Sequence, residues 1–446
     1  MEQLGRDAPN VRGYNPQAMG RRWSRRDVLK IGVGAAGGLG APRGAEAQTG
    51  APRPPRFRPR ARPPVSGRVL QDPLPEGLQR YRQAAEAAVA EPFKGVTAGG
   101  RPAGGLFRVE KSGVSTRPIQ DAAAAFLAAL PPEQATAARF ALDSDAWRRW
   151  SNIHPFIMRH GVPLETLTPA QRERALAVVE ATLSRTGFKT ARDVMRLNEV
   201  IADITGRHEE YGEWLYWLSV FGTPSPTEPW GWQIDGHHLI VNCLVLGDQL
   251  VLTPMFMGSE PVDSDSGPHA GTRVFRAEEA NGLALARALN ATQRAKTVVS
   301  TELPGEVLAT AFRDNLELQP AGIRYDELSR GQQALFRRLL DAYVGRIRPG
   351  HAQVRSDEVT RHLAETRFAW IGGVEEDSVF YYRVHSPVIL IEFDHQRGVA
   401  LDNDTPSRNH VHTVIRTPNG NDYGKDLLRQ HYQQVDHTPG RPHVRR

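Results

Sequence analysis

The sequence is poor in cysteine and lacks several catalytic signatures. Cys243 is the only cysteine among 446 residues, which excludes an internal disulfide. It lies in an apolar segment, residues 240–246, where a buried and unreactive thiol is expected. The chain has no Gly-x-Ser-x-Gly elbow, no phosphate-binding loop and no dinucleotide fingerprint. These absences argue against an elbow-type serine hydrolase, a P-loop nucleotide hydrolase and a nicotinamide-dependent dehydrogenase.

Long hydrophobic runs are absent as well. No stretch approaches the ~20 apolar residues of a membrane-spanning helix, so no stable membrane anchor is expected. The N-terminus instead has Arg25 and Arg26, followed by a short Gly/Ala-rich apolar run at residues 31–41. A small-x-small pattern then follows at residues 45–47. This order resembles a twin-arginine export signal, although Val28 stands where that signal usually has phenylalanine.

We predict that residues 1–47 are a signal peptide recognised by the twin-arginine export machinery. The mature protein is then exported, to the periplasm or outside the cell. The twin-arginine route carries folded proteins, often with a cofactor already inserted, so it is compatible with a metal site. The alternative is a disordered basic N-terminus of a cytoplasmic protein.

Positive charge is confined to the N-terminal region. The whole chain has a net charge of +6. Residues 1–47 hold eight Lys/Arg and four Asp/Glu, and residues 48–68 hold six Arg and no acid, so the remainder carries 6 − 4 − 6 = −4. The folded body therefore lacks the basic excess of a nucleic-acid-binding domain, and no nucleic-acid partner is expected.

The composition divides the rest of the chain into three regions. Residues 48–74 are rich in proline and arginine and are predicted to be an extended linker without packed structure. Residues 75–435 are predicted to form a single large domain, and residues 436–446 a disordered tail. Hydrophobic residues make up 40% of the chain, which is enough for a sizeable core.

Hydrophobic periodicity predicts the elements of this domain. Helices are expected in the N-terminal half at residues 78–90, 121–130, 169–184 and 190–205. Further helices are expected at residues 277–289, 306–313, 329–343 and 424–434. Strands are expected at residues 238–246, 250–256, 367–372, 379–385, 388–394 and 411–416. This order predicts an α+β fold, with a helical N-terminal half packed on a mostly antiparallel sheet formed by the central and C-terminal strands.

Histidines in two segments suggest a metal site. His237 and His238 begin a predicted strand, where at most one of the two rings would face a given site. His410 and His412 share one face of another predicted strand, because side chains alternate along a strand. Imidazole is the commonest protein ligand for metals, so His410, His412 and one of His237 and His238 are predicted to hold a divalent transition metal: zinc, copper or iron.

Other polar and aromatic residues are candidates for the same site. Glu392 is expected to be a fourth ligand or a general base, with Asp394 on the same face. His431, near the end of the last helix, is expected to shuttle a proton or to interact with the helix dipole. The remaining predicted substrate-binding residues are Trp230, Trp232, Arg383 and Arg416. For the tryptophans, core packing is the alternative to a pocket wall.

Eight short motifs carry a family resemblance. They are Phe221-Gly222-Thr223-Pro224-Ser225, Pro229-Trp230-Gly231-Trp232, Gly236-His237-His238, Thr253-Pro254, Phe380-Tyr381-Tyr382-Arg383, Ile391-Glu392-Phe393-Asp394, Asn409-His410-Val411-His412 and Asp422-Tyr423-Gly424-Lys425-Asp426-Leu427-Leu428. Together they resemble the domain of unknown function family 3500 over about residues 75–435. Where that family usually has an aromatic residue after Val414, this chain has Ile415, which argues against stacking there. The resemblance implies membership of this family and export. It leaves the biochemical activity open.

Three functional hypotheses follow. The first is an exported metal-dependent enzyme, either a hydrolase or an oxidoreductase, that acts on a small-molecule substrate. The second is a non-catalytic exported protein that binds a small ligand in an aromatic cleft. The third is a structural role, in which the histidines only satisfy hydrogen bonds in the core. Metal content separates the first from the other two.

Overall fold

A computed structural model describes residues 57–435 of the chain. The predicted signal peptide at residues 1–47 and the predicted tail at residues 436–446 lie outside the described residues. Within the described part, no helix combines the length and apolar character that crossing a membrane requires.

The helices within residues 57–435 follow local sequence signals. Pro169 occupies the first turn of α4, and Thr168 and Gln171 form a reciprocal capping box at its start. Gly206, with a φ of 66°, ends α5 in the left-handed conformation that glycine adopts without strain. The helices are α1 (Glu76–Ala90), α2 (Arg117–Ala128), α3 (Pro132–Ala138), α4 (Pro169–Thr182), α5 (Arg185–Thr205), α6 (Arg276–Ala288), α7 (Ala291–Thr297), α8 (Arg330–Val344), α9 (His351–Arg361) and α10 (Lys425–Gln434).

One sheet gathers the strands of the described residues. The strands are β1 (Arg139–Phe140), β2 (Val162–Pro163), β3 (Tyr216–Phe221), β4 (Trp230–Gly236), β5 (Leu239–Leu246), β6 (Gln249–Val251), β7 (Met255–Ser259), β8 (Ile323–Arg324), β9 (Arg367–Gly372), β10 (Phe380–His385), β11 (Leu390–His395) and β12 (Val411–Arg416). Their order is β1-β3-β4-β5-β7-β12-β11-β10-β9-β8, with β2 on β3 and β6 on β5. Only the β1–β3 pair is parallel among these described strands.

The β7–β12 pairing brings the two histidine segments together. It joins the central hairpins to the C-terminal meander, with His412 opposite Gly258. The next pairing, β12 with β11, sets His412 opposite Asp394. Residues 172 positions apart in sequence, His238 and His410, therefore meet across the middle of the sheet.

The two faces of the sheet are covered differently. On one face, Met255, Met257 and Ile415 pack into the main core with residues of α2, α4, α5, α6 and α8. On the other face, Phe256 and Val414 pack with Trp147, Trp150 and residues of an irregular segment around Val307. Successive side chains of β7 and β12 alternate between these faces, so His412 and Gly258 lie on the irregular side.

The structure confirms the predicted α+β class and most predicted elements. The predicted strand at residues 250–256 is instead two strands, β6 and β7, separated by residues 252–254. The predicted helix at residues 306–313 is wrong, because this segment has no regular helix. Several of its backbone groups bond to side chains of the sheet: Glu392 accepts from the N–H groups of Leu308 and Ala309, and Arg416 donates to the carbonyl oxygens of Ala309 and Thr310. Trp230 and Trp232 lie in β4, a strand that hydrophobic periodicity did not predict.

The predicted linker is extended but not unpacked where it is described. Arg62 donates to both carboxylate oxygens of Glu210 and to the Tyr211 hydroxyl. Arg60 bonds to the carbonyl oxygen of Leu401, and Pro59 forms a bridge with the same residue. Arg60 and Arg62 thus bind this part of the linker to buried hydrogen-bond acceptors of the domain, whereas a linker without packed structure was predicted.

Candidate metal centre

His238 is presented by the tight turn between β4 and β5. The prediction of a strand at this residue was wrong, because its φ of 63° lies in the left-handed region. The conformation is fixed by the His238 N–H, which donates to the Asn152 carbonyl at 3.2 Å, and by the His238 carbonyl, which accepts from the Gly258 N–H at 2.8 Å. These bonds direct the ring of His238 toward β7 and β12.

His410 and His412 flank the first residue of β12. As predicted, their rings lie on one side of the strand, with ring centroids 4.7 Å apart. The centroid of His238 lies 5.1 Å from that of His410 and 4.9 Å from that of His412. The three rings therefore form one compact group.

Three imidazole nitrogens converge in this group. Nε2 of His410 lies 3.2 Å from Nε2 of His238 and 3.0 Å from Nε2 of His412, and the third separation is 3.0 Å. A tetrahedral zinc ion would place ligand nitrogens about 3.3 Å apart, given Zn–N bonds of ~2.0–2.1 Å. The side chains are buried, with exposed fractions of 5%, 2% and 5% for His238, His410 and His412. The three side chains can hold one metal ion.

The outer nitrogens of two rings have acceptors. Nδ1 of His410 lies 2.7 Å from the Arg397 carbonyl oxygen, and Nδ1 of His412 lies 2.8 Å from Oε1 of Glu306. A carbonyl or carboxylate oxygen only accepts, so each Nδ1 carries the proton, and in the neutral ring Nε2 presents its lone pair. Carboxylate or carbonyl partners on the far nitrogen are typical of metal-binding histidines.

The electrostatic surroundings keep two of the rings neutral. Burial, together with the imidazoles of His237, His412 and His410, holds the pKa of His238 well below its ordinary value. Burial also lowers the pKa of His410 to about 4. Neutral imidazole is the form that binds a metal, whereas lone pairs facing one another without a cation or proton repel.

Gly258 provides the space for two of the rings. A Cβ atom at this position would lie 2.9 Å from Cδ2 of His412 and 3.1 Å from Cδ2 of His238. It would also lie 2.8 Å from the Val411 carbonyl oxygen. A side chain there would displace the imidazoles, so glycine is needed for the convergence.

His237 does not contribute a nitrogen to this group. Its ring stacks on that of His238 with centroids 3.9 Å apart, and its Nδ1 lies 2.8 Å from Oδ1 of Asn198. Behind it lies His154, whose Nε2 is 3.0 Å from Oε2 of Glu210. His237 thus supports the ring of His238, and His238 is the member of the pair that faces the site.

Glu392 lies in a hydrogen-bond set of its own. Its carboxylate accepts from the N–H groups of Leu308 at 2.7 Å and Ala309 at 2.8 Å, and from the Tyr381 hydroxyl at 2.7 Å. It is not part of the three-histidine group. These bonds give it a structural function, which is to hold the segment that carries Glu306. Its predicted role as ligand or base stays a prediction.

Asp394 lies closer to the histidines. It is opposite His412 on the neighbouring strand, fully buried, and its Oδ1 has no hydrogen-bond partner within residues 57–435. Burial, with the carboxyl groups of Glu306 and Glu392, holds the pKa of Asp394 well above its ordinary value. A buried protonated carboxyl group opposite His412 can donate a proton, and the carboxylate left behind can accept one.

The remaining predicted site residues have other surroundings. Arg416 is fully buried and bonds to Asp314, Asp422 and the Ala309 and Thr310 carbonyls. Arg383 is buried in β10, with Nη2 3.4 Å from the Gln319 carbonyl oxygen. His431 lies on α10, next to Leu427 and Leu428. None of the three belongs to the histidine group in the described structure.

Trp230 and Trp232 have packing roles. Both are completely buried, and both belong to the main core on the helix side of the sheet. They lie on the face of β4 opposite to the histidines. This position is that of core residues, which was the alternative to a substrate-binding wall.

A second group of possible ligands lies on the surface. Glu199, Asp203 and His208 are close at the end of α5, with ion-pair distances of 3.8 Å from the imidazole. The His208 side chain is 57% exposed. Exposed acidic groups of this kind are common without a metal, and none of the three residues of this surface group is buried.

Comparison with known proteins assigns the chain to a protein family. The family model described as "Protein of unknown function (DUF3500)" matches residues 112–425. The chain belongs to this family. The DUF3500 match includes His238, His410, His412 and Glu306, and it confirms the family resemblance of the motifs. No curated protein and no solved structure matches the chain.

Sequence reasoning missed Glu306, Glu260 and Gly258. Glu306 fell in the wrongly predicted helix, and nothing in its local sequence links it to His412. Glu260 accepts four contacts from the N–H groups of Val399, Ala400 and Leu401, and its Oε2 lies 3.7 Å from Nδ1 of His410. A glycine directly before the last residue of the apolar strand β7 was the one signal that could have indicated close packing at Gly258.

Proposed function

We propose that this protein is an exported metal-dependent enzyme, with His238, His410 and His412 as the ligands of one divalent ion. The observation that carries the proposal is the convergence of three buried Nε2 atoms at 3.0–3.2 Å. Three histidines with a free fourth position are the ligand set of one class of catalytic zinc site. We therefore favour zinc and a hydrolase. Imidazole also suits copper and iron, in which case the enzyme is an oxidoreductase.

A divalent ion bound in this way supplies an activated water molecule and polarises a carbonyl or related group. The protein supplies the rest. Glu306 and the Arg397 carbonyl orient two of the rings through Nδ1. Asp394, beside His412 and with one free oxygen among its described contacts, is the carboxyl that we assign to proton transfer in place of Glu392. Glu306 has a side chain that is 35% exposed and marks the direction of solvent.

The first test is metal content. Elemental analysis of the natively purified protein is expected to find near-stoichiometric zinc, copper or iron. His410→Ala/His412→Ala should lose that metal while remaining folded by circular dichroism. His269→Ala, a histidine in a loop outside the site, should keep it. Absence of metal in the parent protein, even after reconstitution, would refute the proposal.

Activity separates an enzyme from a metal-containing binding protein. Hydrolysis of a panel of chromogenic esters and amides is expected to disappear on chelation and to return with zinc. If instead copper or iron is found, oxidation assays replace the hydrolytic panel. A binding protein with an aromatic cleft is less well supported, because Trp230 and Trp232 are completely buried. Export is tested by the effect of Arg25→Lys/Arg26→Lys on the fraction of protein outside the cytoplasm.

A further inference from the structure

A cavity of about 630 Å³ lies on the opposite face of the same two strands. Met255 of β7 and Ile415 of β12 line it. Each is an odd number of residues away from Gly258 or His412, so its side chain is on the other side of the sheet. Cavities of about 300–1,000 Å³ are typical of sites for small molecules. This cavity is separate from the histidine group.

One part of the cavity wall is apolar. It combines the segment before α2, the strands of the sheet and the end of α8, and its side chains include Phe107, Leu252, Met255, Ile347, Ile389 and Ile415. Surfaces of this kind favour hydrocarbon over water by about 25 cal/mol per Å² of buried area. The volume corresponds to about 20 groups of the size of a water molecule.

The opposite wall is formed by one face of α9. The residues that line the cavity are spaced as neighbours on a single helix face. They are His351, Val354, Arg355, Asp357, Glu358 and Arg361 of α9, with His362 directly after the helix. A helix on a globular protein normally turns its apolar stripe inward. α9 follows this rule with Val359, which belongs to the main core, while its polar face borders a cavity that is open to solvent at Asp357 and Arg361. A polar group of a ligand can therefore lie against this face.

His351 is the least satisfied member of this face. It is 4% exposed, and its Nε2 has no hydrogen-bond partner within residues 57–435. The ring bonds instead to the backbone of Ser115. A buried polar atom without a partner costs roughly 1–3 kcal/mol, so a ligand group that bonds to it gains affinity.

Arg355 lies one turn further along α9. Its guanidinium donates to the Val388 carbonyl oxygen at 2.8 Å and the Thr417 hydroxyl at 3.1 Å, and it pairs with Glu358. These contacts fix the cation beside His351 before a ligand arrives. Arg361 and Lys111 add positive charge to the lining, against Glu110, Asp357 and Glu358.

We propose that this cavity binds a small monocarboxylic acid with an apolar body. The hydrocarbon part contacts the apolar wall, and the carboxyl group lies between His351 and Arg355. In this position the carboxyl accepts from the guanidinium and shares a proton with Nε2 of His351. No bond is made or broken, so the site is one of binding.

Calorimetric titration of the full chain with dodecanoate tests the proposal. Saturable binding is expected, with 1-dodecanol binding at least tenfold more weakly because it lacks the carboxylate. His351→Leu should weaken dodecanoate binding roughly tenfold, since it keeps the bulk but removes the nitrogen. Gln353→Ala, on the exposed side of α9, should bind as the parent protein does.

Two further variants keep the outcome clear. Val354→Trp is expected to abolish binding by filling the cavity, even if His351→Leu fails to fold. His410→Ala/His412→Ala should bind dodecanoate normally, which excludes binding of the carboxylate to a metal and makes the result independent of the proposed enzyme. Absence of binding, equal binding of the alcohol, or binding unchanged in Val354→Trp would overturn the proposal.

Discussion

At the residue scale, the central feature is the convergence of three imidazoles from two distant segments of the chain. The Nε2 atoms of His238, His410 and His412 lie within 3.2 Å of one another. Each ring is held in place by a different contact. The left-handed turn positions His238, the Arg397 carbonyl oxygen accepts from Nδ1 of His410, and Glu306 accepts from Nδ1 of His412. Burial of neutral rings with facing lone pairs is unfavourable unless a cation or a shared proton lies between them. The convergence of the rings therefore lowers the stability of the metal-free protein, and it suits a metal ion.

Glu306 is expected to tune the affinity of this centre. Replacing Glu306 by Gln removes the charged acceptor of the His412 Nδ1 proton and should weaken metal binding by about 10- to 100-fold. The measurement is competition against a chromophoric chelator of known affinity. A matched control is Glu365→Gln, because Glu365 lies 2.8 Å from Nδ1 of His362 but not at the site. Equal affinities of the Glu306 variant and the parent would show that His412 needs no carboxylate.

At the element scale, the irregular segment at residues 306–314 decides where Glu306 lies. Its backbone is bound from the sheet by Glu392 on β11 and Arg416 on β12. Asp314 at its end bonds to Arg416, Arg148 and Tyr423. Through these hydrogen bonds Glu392 contacts the segment that carries Glu306, and its predicted role as ligand or base stays a prediction.

Loss of this anchoring is expected in Glu392→Gln. A glutamine amide can accept from one of the two N–H groups but turns a donor toward the other, leaving a buried group unsatisfied. The free energy of unfolding should fall by about 2–3 kcal/mol, measured by urea denaturation of the metal-free protein. Glu375→Gln, at an exposed position, should change it little. A variant as stable as the parent would contradict the anchoring role.

The same elements show what sequence could predict. Local patterns were sufficient for β9 and β12, whose predicted bounds match the observed Arg367–Gly372 and Val411–Arg416, and for the shared face of His410 and His412. Residues 306–313 have helical periodicity, but hydrogen bonds to Glu392 and Arg416 override it. The choice of His238 over His237 depends on a turn conformation that is set by Asn152 and Gly258. Contacts between distant segments therefore determine the conformation of residues 306–313 and which of the two adjacent histidines faces the site, and the local sequence pattern does not show these contacts.

At the scale of the whole molecule, buried histidines should make the fold sensitive to acid. His385 in β10 is 3% exposed, and burial lowers its pKa to about 3. The unfolded chain protonates this ring near the ordinary value of 6.5. Between these values the unfolded state binds more protons, so stability falls as the pH falls below 6.5.

The contribution of His385 is measurable by substitution. Between pH 7.5 and 5.5 the metal-free parent protein should lose about 1–1.5 kcal/mol through this residue alone. His385→Gln should show a correspondingly smaller loss over the same interval in urea denaturation with chelator present. An identical pH dependence of parent and His385→Gln would mean that the folded state accepts the proton.

The sheet also organises the molecule around β7 and β12. One face of these strands carries His412, with His410 directly before β12, and the other face lines the cavity beside α9. The proposed metal centre and the proposed acid site share strands but no side chains. Substitutions at one are therefore expected to be informative without removing the other.

The most direct test of the metal centre is anomalous X-ray diffraction from crystals of the natively purified protein. X-ray fluorescence identifies the element, and a difference map collected at its absorption edge locates it. We predict one peak about 2.0–2.1 Å from Nε2 of each of His238, His410 and His412. Ordered rings with no peak between them would contradict the account and would indicate histidines that only share a proton within the core.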